Sequence, residues 1–375
     1  MTSAASVPAM RRLRLSPTLT KYIARQFFFW FGSFVFAIVG IIFLATVVDL
    51  IDRLATKNVS LAVTLEMAFL KLPHLSQEVM AFTVLFAAMT TFWRLTRSHE
   101  LVVARAAGVS VWQFLLPVLG SALLVGCLTV TALNPLASIL LSRFERLEAN
   151  YVRNESSFLA VSKTGLWLRQ ADSDGQSVIH ASRVSSGSVL LHNVIVFRYA
   201  DLDRFVNRID AERAQLQDRR WRLYEAWVSR PGEASVFHET FDLPTELTVD
   251  KIQESFAPPE TISFWNLPEF IEIMDAAGFS ALPHRLQLHR LLALPMLFAA
   301  MVLLAATFSM RPQRRGRVGL IIMAGLLTGF LLYFMSNFVF AIGLSGTIPV
   351  VLAAWTPAGV SLMLGVAMLL HLEDG

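Results

Sequence analysis

Charged residues are scarce in this chain: Asp, Glu, Lys and Arg make up 16% of its 375 residues, whereas they make up about 25% of an ordinary soluble domain. The two ends of the chain hold few of these charges: residues 1–142 contain 16, residues 143–290 contain 38 and residues 291–375 contain 6. Hydrophobic residues account for 55% of the chain, and its mean hydropathy is +0.55. The composition excludes a uniformly soluble protein and indicates an integral membrane protein with one large water-facing insertion.

Cysteine is nearly absent, since Cys127 is the only one. One cysteine forms no intrachain disulfide, so the insertion must be held together by its own core. The positive net charge of +4 does not indicate a nucleic-acid partner, because the arginines lie beside apolar runs rather than along one polar face.

Several catalytic motifs are also missing. The sequence has no GxxxxGK[ST] phosphate loop, no HExxH metal motif and no GxSxG nucleophile elbow. His74 and Glu78 lie four residues apart, as a metal-binding pair on a helix could, but such a pair is more commonly structural. We therefore expect no catalysis, cofactor or metal site in this chain, and ATP hydrolysis would need a separate partner.

Long runs without charge predict the membrane spans, because a helix needs about 20 apolar residues to cross the hydrocarbon. The second span contains Glu66, Lys71, Pro73 and Glu78, and we expect a bend at Pro73 because proline removes one backbone donor. Six spans are predicted, at residues 26–48, 61–93, 106–142 and 291–310, and in two parts of 318–372 divided near 343–349.

Arginine and lysine set the predicted orientation. Five basic residues precede the first span, three lie between the second and third spans, and four lie between the fourth and fifth. Basic residues accumulate in short cytoplasmic loops, so both termini are predicted to be cytoplasmic and the large insertion to lie on the opposite side of the membrane.

The charged middle predicts a β domain. Short strand-like segments at roughly ten-residue spacing run from Phe158 to Phe241, with a turn signal at residues 172–175, as in a sandwich or jelly roll. The predicted core includes Trp167, Trp221, Leu223, Tyr224 and Trp227. A short helix with an apolar stripe is predicted at residues 266–278.

The predicted fold class is therefore a membrane α-helical protein in which three spans on each side flank a β-jelly-roll-like domain. The expected divisions are an N-terminal tail (1–20), spans one to three (21–142), the β domain (143–262), a linker helix (263–285) and spans four to six (286–375).

The segment between spans two and three predicts a cytoplasmic helix near residues 98–108. Ser98 is a suitable N-cap, Glu100 suits the positive end of the helix dipole, and Gly108 can end the helix. Leu101 and Ala104 form an apolar side. The pattern fits equally a surface helix, in which Glu100 only steadies its own N-terminus, and a docking helix for a partner.

The sequence ELVVARAAGVS at 100–110 resembles the coupling-helix motif of the lipopolysaccharide-export permeases, the LptF/LptG family. Tyr22-Ile23, Gly165-Leu166-Trp167 and Trp221-Arg222-Leu223 also resemble that family, nearest to its LptG branch. The resemblance covers almost the whole chain from about residue 20.

The resemblance implies a permease subunit of an ABC transporter that extracts lipopolysaccharide from the inner membrane and passes it to a periplasmic bridge toward the outer membrane. It implies a paralogous LptF-like permease as heterodimer partner and a cytoplasmic LptB-like ATPase dimer. LptC-like and LptA-like jelly-roll proteins would be the periplasmic partners.

The resemblance also implies site residues. Glu100 would engage the ATPase, and the coupling segment would include Arg97, Leu101, Arg105 and Gly108. Basic residues at the outer ends of spans one and three would meet lipid phosphates, and phenylalanines of spans one and five would offer an apolar wall to acyl chains. The lipid-binding candidates are Arg53, Lys57, Arg143, Arg146, Phe31, Phe34, Phe334 and Phe338.

Two other functions stay open at this stage. A membrane-anchored periplasmic assembly or sensor protein would use the spans only as anchors, although six spans exceed what anchoring requires. A proton-coupled carrier would use Glu66, Lys71 and Glu78 as a relay, because ionisable residues within membrane spans are commonly functional. Co-purification of an ATPase with the chain would distinguish the exporter from both.

Overall fold

The computed structural model describes most of the residues of the chain. These are 17–55, 59–148, 151, 158–162, 165–172, 175–185, 190–200, 204–217, 220–245, 258–276, 280–310 and 318–374. The helices before the insertion are α1 Pro17–Leu54, α2 Leu61–Glu78, α3 Met80–Arg97, α4 Glu100–Ala106, α5 Val111–Leu128 and α6 Asn134–Glu148. The strands are β1 Phe158–Ser162, β2 Gly165–Asp172, β3 Gly175–Ser185, β4 Leu190–Ala200, β5 Arg204–Gln217, β6 Arg220–Ser229 and β7 Val236–Pro244. After them come α7 Leu267–Ala276, α8 Leu282–Ser309, α9 Val318–Leu344 and α10 Val350–Asp374.

Within the described ranges, five stretches of helix are long and apolar enough to cross a membrane, and the bent pair α2–α3 makes six when counted as one span. This agrees with the predicted six. The helix α1 has 38 residues, so at 1.5 Å per residue it reaches beyond the predicted span 26–48 at both ends. The predicted break at 343–349 is confirmed, because α9 ends at Leu344 and α10 begins at Val350.

The bend in the second span is confirmed, but its predicted position at Pro73 is wrong. The helix α2 continues through Pro73 to Glu78, and the angle of 59° lies between α2 and α3. Val79 separates the two helices with φ −94° and ψ 2°, outside the helical region. The backbone conformation at Val79 therefore makes the break.

The third span is one continuous helical stretch that begins at Val111, after a short loop that follows α4. Ser110 caps α5 in a capping box with Gln113, which satisfies backbone donors at the helix start. A π-helical turn, Thr129–Leu133, joins α5 to α6 without a gap. The helix continues past residue 142 to Glu148.

The insertion forms one antiparallel sheet of seven strands in the order β1-β2-β3-β4-β5-β6-β7. The predicted inserted β domain is confirmed, and the strand order adds that each strand pairs with the next one in the chain. At the predicted turn, Asp172 pairs with Gly175, the first residue of β3; residues 173–174 lie outside the described ranges.

The sheet core contains Trp221 and Leu223 as predicted, each at most 1% exposed. The assignments of Trp167 and Trp227 to the core are wrong, because these side chains are 39% and 50% exposed. Along β6 the buried positions change from Trp221 and Leu223 to Ala226 and Val228. Glu225 lies between them with φ +55°, and this left-handed residue shifts the alternation by one position. Trp227 consequently lies on the outer face.

The short helix predicted at residues 266–278 is confirmed as α7, whose stripe of Leu267, Ile271 and Met274 is buried. The largest membrane-region core joins α1, α3, α5, α8 and α10 around Phe27, Phe92 and Phe298. The helices α5 and α8 approach closely, since a Cβ on Gly126 would lie 2.6 Å from the Cα of Pro295. A second core joins the end of α1 with α2 and α6.

Candidate functional site: the α4 coupling surface and the lipid-facing residues

The short helix α4 lies where the ends of several membrane helices meet. Leu101 is 3% exposed and belongs to the same buried cluster as Ile23 of α1, Leu95 of α3 and Met310 after α8. Ala104 packs against that cluster. The predicted apolar side of the helix is therefore confirmed as the side that anchors α4.

The start of α4 differs from the prediction, whereas its end agrees with it. Ser98 is not the N-cap; His99 occupies that position in the left-handed conformation with φ +59° and makes no side-chain capping bond. Gly108 has φ +84° and its N–H donates to the carbonyl of Arg105. A glycine here ends the helix without the steric cost that a side chain would bring.

The carboxylate of Glu100 is held by two hydroxyl groups. Tyr22 Oη donates to Glu100 Oε1 at 3.3 Å, and Ser98 Oγ donates to the same oxygen at 2.9 Å. Because Tyr22 is on α1 and Ser98 follows α3, Glu100 connects the start of α4 to the ends of two membrane helices. The second carboxylate oxygen of Glu100, Oε2, can accept further hydrogen bonds.

The outer surface of α4 is more apolar than the sequence pattern indicated. Val102 and Val103 are 55% and 69% exposed, while Arg97 and Arg105 are also exposed beside them. Exposed neighbouring aliphatic side chains flanked by charges are typical of a surface that contacts another protein. The sequence analysis did not identify the two valines or Tyr22 as functional candidates. The valines could have been identified, because the Leu101/Ala104 stripe indicates which side of α4 is buried and so places Val102 and Val103 on the exposed side.

Three of the four predicted phosphate-binding residues flank one cluster of apolar side chains. The cluster joins Leu54 of α1 with Phe144 of α6 and residues of α2. Arg53 precedes Leu54, and Arg143 and Arg146 are exposed on either side of Phe144. Arg53 is paired with Asp49 at 3.0 Å, which partly neutralises it. Lys57 lies outside the described residues.

The predicted phenylalanines fall into two groups. Phe31 and Phe34 of α1 are half-buried against the main membrane core, and Phe34 lies 6.1 Å from Phe86 between ring centroids. Phe334 and Phe338 of α9 are 59% and 54% exposed. Only the α9 pair therefore presents an open apolar surface.

The candidate pair His74 and Glu78 is close, with 3.6 Å between Nε2 and Oε1. In the part of the chain that the structure describes, no group of three His, Cys, Asp or Glu side chains is placed to hold a metal ion.

The helices and the insertion define a class: a multi-pass membrane protein whose helices flank a water-facing β domain, with an anchored surface helix between two spans. The chain belongs to the family of lipopolysaccharide export system permeases LptF/LptG, whose model matches residues 21–371. It is similar to the lipopolysaccharide export system permease protein LptG of Escherichia coli K12, at 22% identity over 365 residues, which are 94% of this chain and 98% of that protein. The LptG protein of Escherichia coli O6:H1 strain CFT073 matches to the same extent. The family resemblance predicted from the sequence is confirmed, and the chain is a transport permease.

Proposed function

We propose that this permease works with a second, paralogous permease and a cytoplasmic ATPase to extract lipopolysaccharide from the inner membrane. In this proposal the arginine-rich loops and both termini are cytoplasmic, and the β domain is periplasmic and hands the lipid to partners of similar fold. The main support is the construction of α4, which is anchored to the membrane core by Leu101 and exposes Val102 and Val103 outward.

Energy must enter such a transporter through a cytoplasmic contact, because the sequence has no phosphate-binding loop. The helix α4 suits this contact. Its exposed valines can be buried by a partner, and each Å² of apolar surface removed from water contributes about 25 cal/mol. Its Leu101 side would transmit a displacement to α1, α3 and the end of α8.

Lipid entry in this proposal uses the exposed surface of α9 and the basic residues beside α6. The α9 phenylalanines offer apolar area to acyl chains, while Arg143 and Arg146 offer donors to phosphate oxygens. The helices α1 and α9 also carry many exposed apolar side chains, which supports a contact with the second permease there.

A charge placed on the outer side of α4 tests the proposal. Val103→Glu should prevent co-purification of the ATPase with the tagged chain, because a carboxylate cannot be desolvated against an apolar partner surface without cost. The matched control is Val236→Glu in β7, where the valine is 54% exposed but far along the chain from α4. Undiminished co-purification of the ATPase with the Val103 variant would contradict the docking role of α4.

A further inference from the structure

A cavity lies among the membrane helices of this single chain, between α2, α3, α6, α8, α9 and α10. The space between its lining residues measures about 1100 Å³, a volume that includes the part open to the surroundings. Its polar lining includes His74, Glu78, Glu260, Gln287 and Arg290. Its apolar lining includes Phe82, Leu294, Leu297, Met301 and Leu332. None of the coupling or lipid candidates that the structure describes lines it.

The polar and apolar groups are separated along α8. Gln287 and Arg290 lie in the first nine residues of a helix that begins at Leu282, whereas Leu294, Leu297 and Met301 follow toward its other end. Eleven residues separate Arg290 from Met301, a rise of roughly 16 Å along the helix. The cavity is therefore amphiphilic, with a polar end and a long apolar wall, and it fits a molecule with the same division.

One buried polar group in this cavity has no partner. Gln287 is 7% exposed, and its Oε1 accepts no hydrogen bond from any described residue. A buried acceptor left unsatisfied costs about 1–3 kcal/mol. A ligand that donates a hydrogen bond at the polar end of the cavity would therefore satisfy this acceptor.

Charges of both signs line the same cavity as Gln287. Glu78 lies against His74, and Glu260 lines the same end of the cavity. The guanidinium of Arg290 is held over the Phe340 ring, 4.9 Å from its centroid. Among the described residues Arg290 and Glu260 have no salt-bridge partner within 4.0 Å, so one positive and one negative group remain to be neutralised.

We propose that this cavity binds a zwitterionic phospholipid with a primary ammonium head group, phosphatidylethanolamine. The phosphate accepts from Arg290, and the ammonium donates to the carboxylates of Glu78 and Glu260 and to Gln287 Oε1. One acyl chain lies along Leu294, Leu297 and Met301. Phosphatidylcholine has no N–H donors, and phosphatidylglycerol has no positive group, so neither satisfies all of these side chains.

Native mass spectrometry of the detergent-purified permease complex tests the assignment. The complex is incubated with dioleoyl phosphatidylethanolamine, phosphatidylcholine or phosphatidylglycerol, each at the same concentration, and the lipid retained is measured. We expect phosphatidylethanolamine to be retained about tenfold more than the other two, because each lost charge-assisted hydrogen bond weakens binding by this order. Equal retention of the three lipids would overturn the proposal.

Two variants place the lipid in the cavity. Arg290→Gln and Gln287→Leu should each lower phosphatidylethanolamine retention by about tenfold; Gln287→Leu removes a buried polar atom and so leaves folding intact. The matched control is Arg285→Gln, which removes an exposed arginine of the same helix that pairs with Asp275. Retention that is unchanged in both cavity variants, or displaced by added lipopolysaccharide at equal concentration, would rule out the assignment.

Discussion

Tyr22 Oη donates a hydrogen bond to Glu100 Oε1 at 3.3 Å across 78 positions of the chain. The bond joins the beginning of the first membrane helix to the beginning of the surface helix α4. A movement of α4 would therefore reach α1 directly, as well as through the packing of Leu101.

The role of Glu100 can be separated from the stability of α4. We expect Glu100→Ala to reduce ATP-dependent lipopolysaccharide release while the complex still assembles, because an exposed acid at a helix start contributes only about 0.3–1 kcal/mol to its helix. Release to a soluble acceptor and co-purification of the ATPase are the two measurements. Tyr22→Phe is the control and should retain release, since Ser98 still donates to Glu100. An equal loss in Tyr22→Phe would show that Glu100 acts inside the chain rather than on the partner.

The two tryptophans of the β domain should differ strongly in their effect on stability. Trp221 is 1% exposed, and truncating a buried tryptophan to alanine costs about 3–5 kcal/mol. Trp167 is 39% exposed, and its ring lies 4.3 Å from the His180 ring between centroids, tilted by 40°, so Trp167→Ala should cost no more than about 1.5 kcal/mol. Hydrogen exchange of β5 and β6 in the full-length protein measures the difference. Similar exchange in the two variants would place the core elsewhere.

The pair of Arg222 and Asp242 gives the β domain a pH-dependent contribution to stability. The two residues lie opposite each other on β6 and β7, with Arg222 Nε 3.0 Å from Asp242 Oδ1. The hydrogen bond from Arg222, aided by the charges of Arg222 and Arg220, lowers the pKa of Asp242. A carboxyl whose folded pKa is depressed stabilises the fold above its unfolded pKa, and this contribution is lost as the pH falls through the folded pKa.

Asp242→Asn should therefore destabilise the β domain at pH 7 by up to about 1 kcal/mol, the usual limit for a partly exposed pair. The difference between wild type and variant should shrink below about pH 4, where the unfolded aspartate is protonated. Thermal unfolding of the full-length protein at pH 7 and at pH 3.5 measures both values. A difference that is the same at both pH values would exclude the ion pair as its cause.

The exposed arginines of α6 test the lipid contact. Arg143→Glu combined with Arg146→Glu should weaken lipid-stimulated ATPase activity and crosslinking to lipopolysaccharide, because arginine-to-phosphate bonds are among the stronger polar contacts. Assembly of the complex should not change. The control is the same double reversal at Arg204 and Arg230, which are exposed in the β domain. Crosslinking as strong as in the wild type would show that the α6 arginines lie in a solvated linker to the sheet and do not contact lipid.

The membrane helices could be predicted from the sequence because hydropathy is a property of each segment alone. The bend could be predicted only in part: Pro73 marks a weak point, but neighbouring groups tolerate a proline within a membrane helix, and the break occurs at Val79. The exposure of Trp227 could not be predicted, because it depends on the left-handed conformation of Glu225, a residue type without special preference for it.

The cavity was missed for a different reason. Gln287 and Arg290 precede the uncharged run that begins at Leu291, so hydropathy places them outside the predicted fourth span at 291–310. The structure shows them inside α8, facing His74 and Glu78 from another helix. Residues more than 200 positions apart come together here because of how the helices pack. A hydropathy profile, which describes each segment alone, gives no information about that packing.

The sequential order of the sheet has a consequence for how the domain is made. Each strand from β2 to β7 pairs with the strand that precedes it, so no pairing in this sheet requires a strand that is synthesised much later. Proteins dominated by contacts between neighbouring segments fold faster than those that need distant pairings, and chains fold progressively from the N-terminus during synthesis. The sheet can therefore grow one hairpin at a time and does not depend on the helices that are synthesised after it.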